Sequence, residues 1–133
     1  MTSSVLDLAR QSVGKQPDPG VVITQALVKA ASIWKLGQGP LGAIIGMSPS
    51  SVSRLHNGKL RLEPGSKPYQ LATLMLRAWR SLDAIVGSSD EAARTWLDSP
   101  NKGLDGARPL ELLATPQGLV KVCDYLDSRR GLL

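Results

Sequence analysis

Between positions 48 and 61 the chain gathers Ser48, Ser50, Ser51, Ser53, Arg54, Asn57, Lys59 and Arg61. These residue types suit non-covalent recognition of a polyanion. An arginine binds guanine O6 and N7 in bidentate fashion, and serine hydroxyls reach phosphates or base edges. Cations just beyond a helix hold a sugar–phosphate backbone. No reaction centre can be assembled elsewhere: there is no paired-carboxylate site in a plausible cleft, no nucleophile with a nearby base and no phosphate loop. One cysteine, Cys123, and one histidine, His56, leave no Cys/His cluster for zinc. The chain is therefore expected to be non-enzymatic, with no catalytic residue, metal site or cofactor.

The elements that must position those residues are two short helices in 41–58, Leu-Gly-Ala-Ile-Ile-Gly-Met-Ser-Pro-Ser-Ser-Val-Ser-Arg-Leu-His-Asn-Gly. Helices crossing steeply need a small residue in the first, which Gly42 supplies, and a turn residue tolerant of positive φ, which Gly46 supplies. Leu41, Ile45, Met47, Val52 and Leu55 fall where apolar anchors belong. Ser48 before Pro49 is a strong helix start, because proline holds Ser48 extended and is itself preorganised for the first helical position. With Val52 and Leu55 buried, Ser50, Arg54 and Asn57 face outward and Ser51 and Ser53 flank them. This is the spacing of a DNA-reading helix-turn-helix; a helical hairpin that touches no DNA would use the same packing. His56 lies toward Val52 on the helical wheel and is expected to be half-buried and hydrogen-bonded.

Charge supports polyanion contact in the front of the chain. Of 133 residues with net charge +5, residues 1–80 hold ten Lys/Arg against three Asp/Glu, and residues 81–133 hold six against eight. One cysteine fits a reducing cytoplasm, no signal peptide is evident, and no apolar run suits a membrane. Ser3 or Ser4 is expected to cap a short helix through Val5, Leu6, Leu8 and Ala9, and Gly14–Gly20 reads as a linker. A helix from Val22 to Leu36 follows, ended by Gly37-Gln38-Gly39-Pro40. The clearest apolar stripe, Leu71, Leu74, Met75, Ala78, Leu82 and Ile85, marks a long helix over 68–86. Tyr69, Leu76 and Trp79 widen that stripe, which implies burial on two sides. After Gly87, Ser88 with Glu91 reads as a capping box.

Proline and glycine divide the remainder into short pieces. A helix through Ala92, Ala93, Trp96 and Leu97 stops at Pro100. Gly103 and Gly106 permit tight turns around Leu104, an apolar plug. Pro109 opens a second helix, and Thr115-Pro116 launches the last one, with Leu119, Val122, Cys123 and Leu126 inward and Lys121, Asp124 and Ser128 outward. Cys123 and Trp96 read as core.

The pattern Ala93, Trp96-Leu97, Pro100-Asn101, Leu104, Gly106, Pro109, Leu113, Thr115, Gly118, Val122 and Leu126 resembles the toxin-binding domain of the Xre/MbcA/ParS antitoxins. Residues 22–79 resemble the Xre-type helix-turn-helix that precedes it. The helical patterning, with a resemblance that covers roughly residues 20–133, gives an all-α protein: residues 1–20, outside the resemblance, an extension and linker, 21–86 a DNA-binding domain and 87–133 a small toxin-binding domain, packed on a shared core. The resemblance further implies a type II antitoxin whose partner is a RES-domain toxin that consumes NAD⁺. Such an antitoxin covers the mouth of the toxin's active site with its C-terminal region. Its helix-turn-helix represses its own operator DNA, as a homodimer or in a higher toxin–antitoxin complex. Carried onto this chain, the toxin-facing residues are Tyr125, Asp127, Ser128, Arg129, Arg130, Gly131, Leu132 and Leu133. Arg129 and Arg130 lie beyond the last core residue, and two leucines follow that a solvated tail does not need; the helix dipole alone would also favour the arginines. A stand-alone repressor and a purely protein-binding module remain the alternatives.

Overall fold

A computed structural model describes residues 17–132. Among these residues the chain is all-α: seven α-helices, one 3-10 turn and no strand. The N-terminal helix expected over Ser3–Ala9 lies outside the described residues, as does Leu133.

Helix α1 (Pro19–Ile33) starts earlier than the sequence suggests. The Asp18 carboxylate accepts from the Gly20 N–H at 2.8 Å, with Pro19 at the first helical position. The expected linker thus ends in a cap followed by proline, the same device as Ser48-Pro49. The helix also stops before Leu36, because Lys35 adopts φ 55°. The presumed terminator 37–40 does two jobs: Gly37 caps α2 (Gln38–Ile45), and Gln38, Gly39 and Pro40 are its first turn. A proline is tolerated there because the first N–H groups of a helix have no intrahelical partner.

Gly46, at φ 73°, ends α2, and α3 (Pro49–His56) begins after Ser48, whose hydroxyl accepts from the Ser51 N–H. A methyl group on Gly42 would overlap the Met47 carbonyl, so the tight fold of the connecting turn back onto α2 depends on glycine. Leu41, Ile45, Val52 and Leu55 are buried between them, and Met47 packs at the edge. After α3 the chain runs extended to Leu62, whose N–H donates to the Thr24 hydroxyl at 2.8 Å while Thr24 donates to the Gly20 carbonyl at 2.6 Å. This buried relay satisfies the backbone where it crosses the start of α1.

Helix α4 (Lys67–Ile85), capped by Ser66, is the central element and packs on α1, α2 and α7. Its expected two-sided burial is present: Met75, Leu76, Ala78 and Leu82 are enclosed, together with Ala72 and Ser81. Leu71, Leu74 and Ile85, expected within the stripe, lie at its margin and are partly buried. The expected Ser88–Glu91 capping box does not form, because the cap lies one residue on and the third helical position is then Ala92. Ser88 sits at φ 63° with its hydroxyl on Asp83, and Ser89 caps α5 (Asp90–Asp98) through the Ala92 N–H. A 3-10 turn (Lys102–Leu104), α6 (Pro109–Leu112) and α7 (Pro116–Arg130) complete the chain. Leu104 is buried, as a plug should be, and so are Leu97, Leu113, Leu119, Val122, Cys123 and Leu126. These residues belong to the same apolar core as Leu27, Leu41 and Met75. An Arg94 guanidinium N–H to the Ile33 carbonyl, at 2.9 Å, adds a polar tie between α5 and the end of α1.

Candidate functional site

Two surfaces collect the candidate residues. On the first, α3 turns Ser50, Arg54 and Asn57 outward, and Ser51 and Ser53 lie half-buried on its flanks, as its period requires. The serines are partly occupied with one another: the Ser48 hydroxyl lies 3.1 Å from that of Ser50 and donates to that of Ser51 at 3.0 Å. Asn57 accepts from the Lys59 N–H at 3.2 Å, which shapes the turn leaving the helix. Arg61 is held in ion pairs with Asp18 at 3.3 Å and Glu63 at 3.4 Å. Arg54 and Lys59 are exposed and have no carboxylate within ion-pair distance among the described residues. His56 is exposed, contrary to expectation, with Nδ1 3.0 Å from the Val52 carbonyl. The wheel angle was close, but α3 ends at His56, and nothing beyond it covers the ring. His56, Lys59 and Arg61 share with Val21, Val28 and Lys29 of α1 a cleft of about 680 Å³.

The second surface is built on α7. Tyr125 packs its ring against Gly103, where a methyl group would collide with it. Gly103 is therefore required for close approach, whereas Gly106, at φ 80°, is the turn glycine. Trp96, only partly buried, stacks on Tyr125 with ring centroids 6.2 Å apart. On the helix surface the Arg129 guanidinium lies 5.2 Å from the Tyr125 ring centre, and its Nε donates to the tyrosine hydroxyl at 3.2 Å. Trp96, Tyr125 and Arg129 thus form one ladder that restricts where Arg129 points. Ser128, Arg130, Gly131 and Leu132 are exposed, Leu132 to 77%.

Asp127 is already engaged within the fold. One oxygen accepts from Ser81 Oγ at 2.8 Å, and the other accepts from Arg77 Nε at 2.7 Å and Nη2. Burial pushes its carboxyl pKa up, but the Ser81 hydroxyl, the Arg77 guanidinium and the charge of Arg130 together leave it below 3.8. Arg77 and Ser81 were not among the expected residues. Their i, i+4 spacing on α4 is a sign of a polar face, but its partner fifty positions away is set only by the packing.

Residues 81–131 match the family described as the antitoxin Xre/MbcA/ParS C-terminal toxin-binding domain. This C-terminal segment is thus similar to a toxin-binding module of the Xre/MbcA/ParS antitoxins. The matched residues take in the last turn of α4 together with α5, α6 and α7. They thereby include the Trp96–Tyr125–Arg129 ladder and Asp127, while Arg77 lies just before them. The chain is also similar to the 6-hydroxy-3-succinoylpyridine 3-monooxygenase HspA of Pseudomonas putida (strain DSM 28022 / S16), 32% identical over 78 residues. That alignment covers 51% of this chain and 24% of the monooxygenase, so the chain spans about a quarter of the length of the curated relative it matches. A likeness of that extent carries no reaction over to this chain. No helix among the described residues is long and apolar enough to cross a membrane, and none of their His, Cys, Asp or Glu side chains group into a metal-binding cluster.

Proposed function

We propose that this chain is a type II antitoxin, that the toxin it binds is a RES-domain protein that consumes NAD⁺, and that it neutralises this toxin by covering the mouth of its active site. The match of residues 81–131 to a toxin-binding domain carries this reading. The exposed end of α7 supports it, because Arg129 is held by Tyr125 and Leu132 offers apolar surface beside it. Preoriented arginine next to exposed leucine is the composition of an interface anchor. Tyr125, Ser128, Arg129, Arg130, Gly131, Leu132 and Leu133 make the contact, while Asp127 fixes α7 against α4. Through Arg54, Lys59 and the serines of α3, the same chain represses its own operator DNA, as a homodimer or in complex with toxin, in the cytoplasm.

The test is co-expression with the protein encoded beside it, scoring growth. The full chain should protect cells, and a variant lacking residues 129–133 should protect them poorly while still binding promoter DNA. Full protection by the truncated variant would show that the C-terminal contact is wrongly placed.

A further inference from the structure

The polar face of α4 and the end of α7 enclose an open groove of about 530 Å³ lined by Arg77, Arg80, Ser81, Asp127, Arg130 and Gly131. Its three guanidinium groups are not equivalent. Arg77 is neutralised by Asp127, and that pair is closed from below by Ser81. Arg80 and Arg130 have no carboxylate within ion-pair distance among the described residues. Arg130 has a local reason to be there, since cations are favoured at a helix C-terminus. Arg80 stands before the last turn of α4, faces the groove beside two other arginines, and has no such support. Asp127, and Asp124 at 3.8 Å from Arg77, offset part of this charge, but the cations outnumber them, so an entering anion further stabilises the groove.

We propose that this groove receives an acidic segment of the protein partner, with Arg80 and Arg130 taking its Asp or Glu carboxylates over a floor fixed by Arg77, Asp127 and Ser81. The inference rests on the toxin-binding reading and extends the contact onto α4, since Arg80 precedes the matched residues 81–131. A guanidinium fork matches a carboxylate in bidentate fashion. A protein is favoured over a phosphate backbone because Gly131 lines the groove and the next residue, Leu132, is 77% exposed. Apolar surface adjoining the charges suits a protein interface and gains nothing on a sugar–phosphate chain.

Calorimetric titration of the full chain against the neighbouring-gene protein tests this. Arg80→Glu and Arg130→Glu should each weaken binding by about tenfold or more, and Arg80→Gln by less. Lys67→Glu, an exposed change at the far end of α4, should stay within about twofold. Far-UV circular dichroism and the melting temperature establish that each variant is folded. Wild-type affinity in folded Arg80→Glu overturns the proposal. So does a pattern in which Arg80→Glu spares the protein partner and weakens binding to a duplex from its own promoter, since the anion is then phosphate. If the wild-type chain does not bind the neighbouring protein, the reading of the partner fails, and the groove is still tested by NMR titration with acetylated hexaglutamate. Arginine Nε signals of Arg80 and Arg130 should then move while that of Arg77 stays, and no movement overturns the groove as a carboxylate receptor.

Discussion

Arg77 on α4 and Asp127 on α7, fifty positions apart in the chain, are paired where the two helices pack, with the Arg77 Nε donating to the Asp127 carboxylate at 2.7 Å. The pair joins the helix that leads out of the front half to the helix that carries the candidate toxin contacts. Because Asp127 has its carboxyl pKa held below 3.8, the folded state binds this proton less readily than the unfolded chain does. The sign follows: its contribution is fully present above the unfolded value and is lost as pH falls through the lower folded value. Asp127→Asn should lower the melting temperature at pH 7 by about 2–4 °C, a modest effect because both side chains are partly solvated. The same variant should flatten the fall in stability below pH 4 in acid melts; an unchanged acid limb would place the titrating group elsewhere.

Cys123 titrates in the opposite direction. It is fully buried and its Sγ–H donates to the Leu74 carbonyl at 3.2 Å. Burial pushes the thiol from 9.0 up to about 11. The folded protein therefore retains this proton after the unfolded chain has lost it, so stability should decline as pH rises from 9.0 toward about 11. At pH 8 the native thiol should be inert to Ellman's reagent and should react fully in 6 M guanidinium. Rapid reaction of the native protein would mean that α7 separates readily from α4.

Local sequence signals predicted local structure well. Gly42, Gly46, Ser48 and Pro49 specify the α2–α3 pair because each acts within a few residues, through a close contact, a positive φ or a cap. Thr115-Pro116 and the plug Leu104 were legible for the same reason. Asp18-Pro19 carries the same start signal as Ser48-Pro49, but the neighbouring Pro17 and Gly20 made it resemble a linker. The cap at Ser89 was misplaced by one residue because consecutive serines offer the same hydroxyl, and only the positive φ of Ser88 separates them. At the candidate site, Arg129 and Arg130 were visible as charges beyond the last core position. Their support was not: Gly103 under Tyr125, Trp96 beside it and Arg77 on Asp127 are separated by tens of residues and meet only after the core forms.

The Gly103–Tyr125 contact gives a prediction of its own. Gly103→Ala places a methyl group where the Tyr125 ring lies, so the ring must shift and take Arg129 with it. The cost should be about 1–3 kcal/mol in a urea melt, the usual scale for overpacking. Tyr125→Phe keeps the ring and removes only the hydroxyl that accepts from Arg129, so its stability should change by less than about 1 kcal/mol. If preorientation of Arg129 matters to the partner, Tyr125→Phe should nonetheless weaken partner binding measurably. A variant with wild-type affinity would show that the ladder serves only the fold.

Separation of the two surfaces gives the last prediction. Arg54 is the exposed arginine of α3 and makes no ion pair among the described residues, whereas Arg61 is shared between Asp18 and Glu63. On the proposal that α3 reads DNA, Arg54→Ala should therefore weaken operator binding in a low-salt gel shift by about 1–3 kcal/mol, roughly 5- to 150-fold. Arg61→Ala should weaken binding less in the same assay and should lower thermal stability slightly, because it opens the α1 end of the fold. Neither change touches α5 to α7, so protection against the toxin should persist in both. An Arg54→Ala protein that shifts the promoter fragment as well as wild type would remove α3 as the reading helix. In that case the cations of the adjoining cleft, Lys29 and Lys59, would be the next residues to substitute.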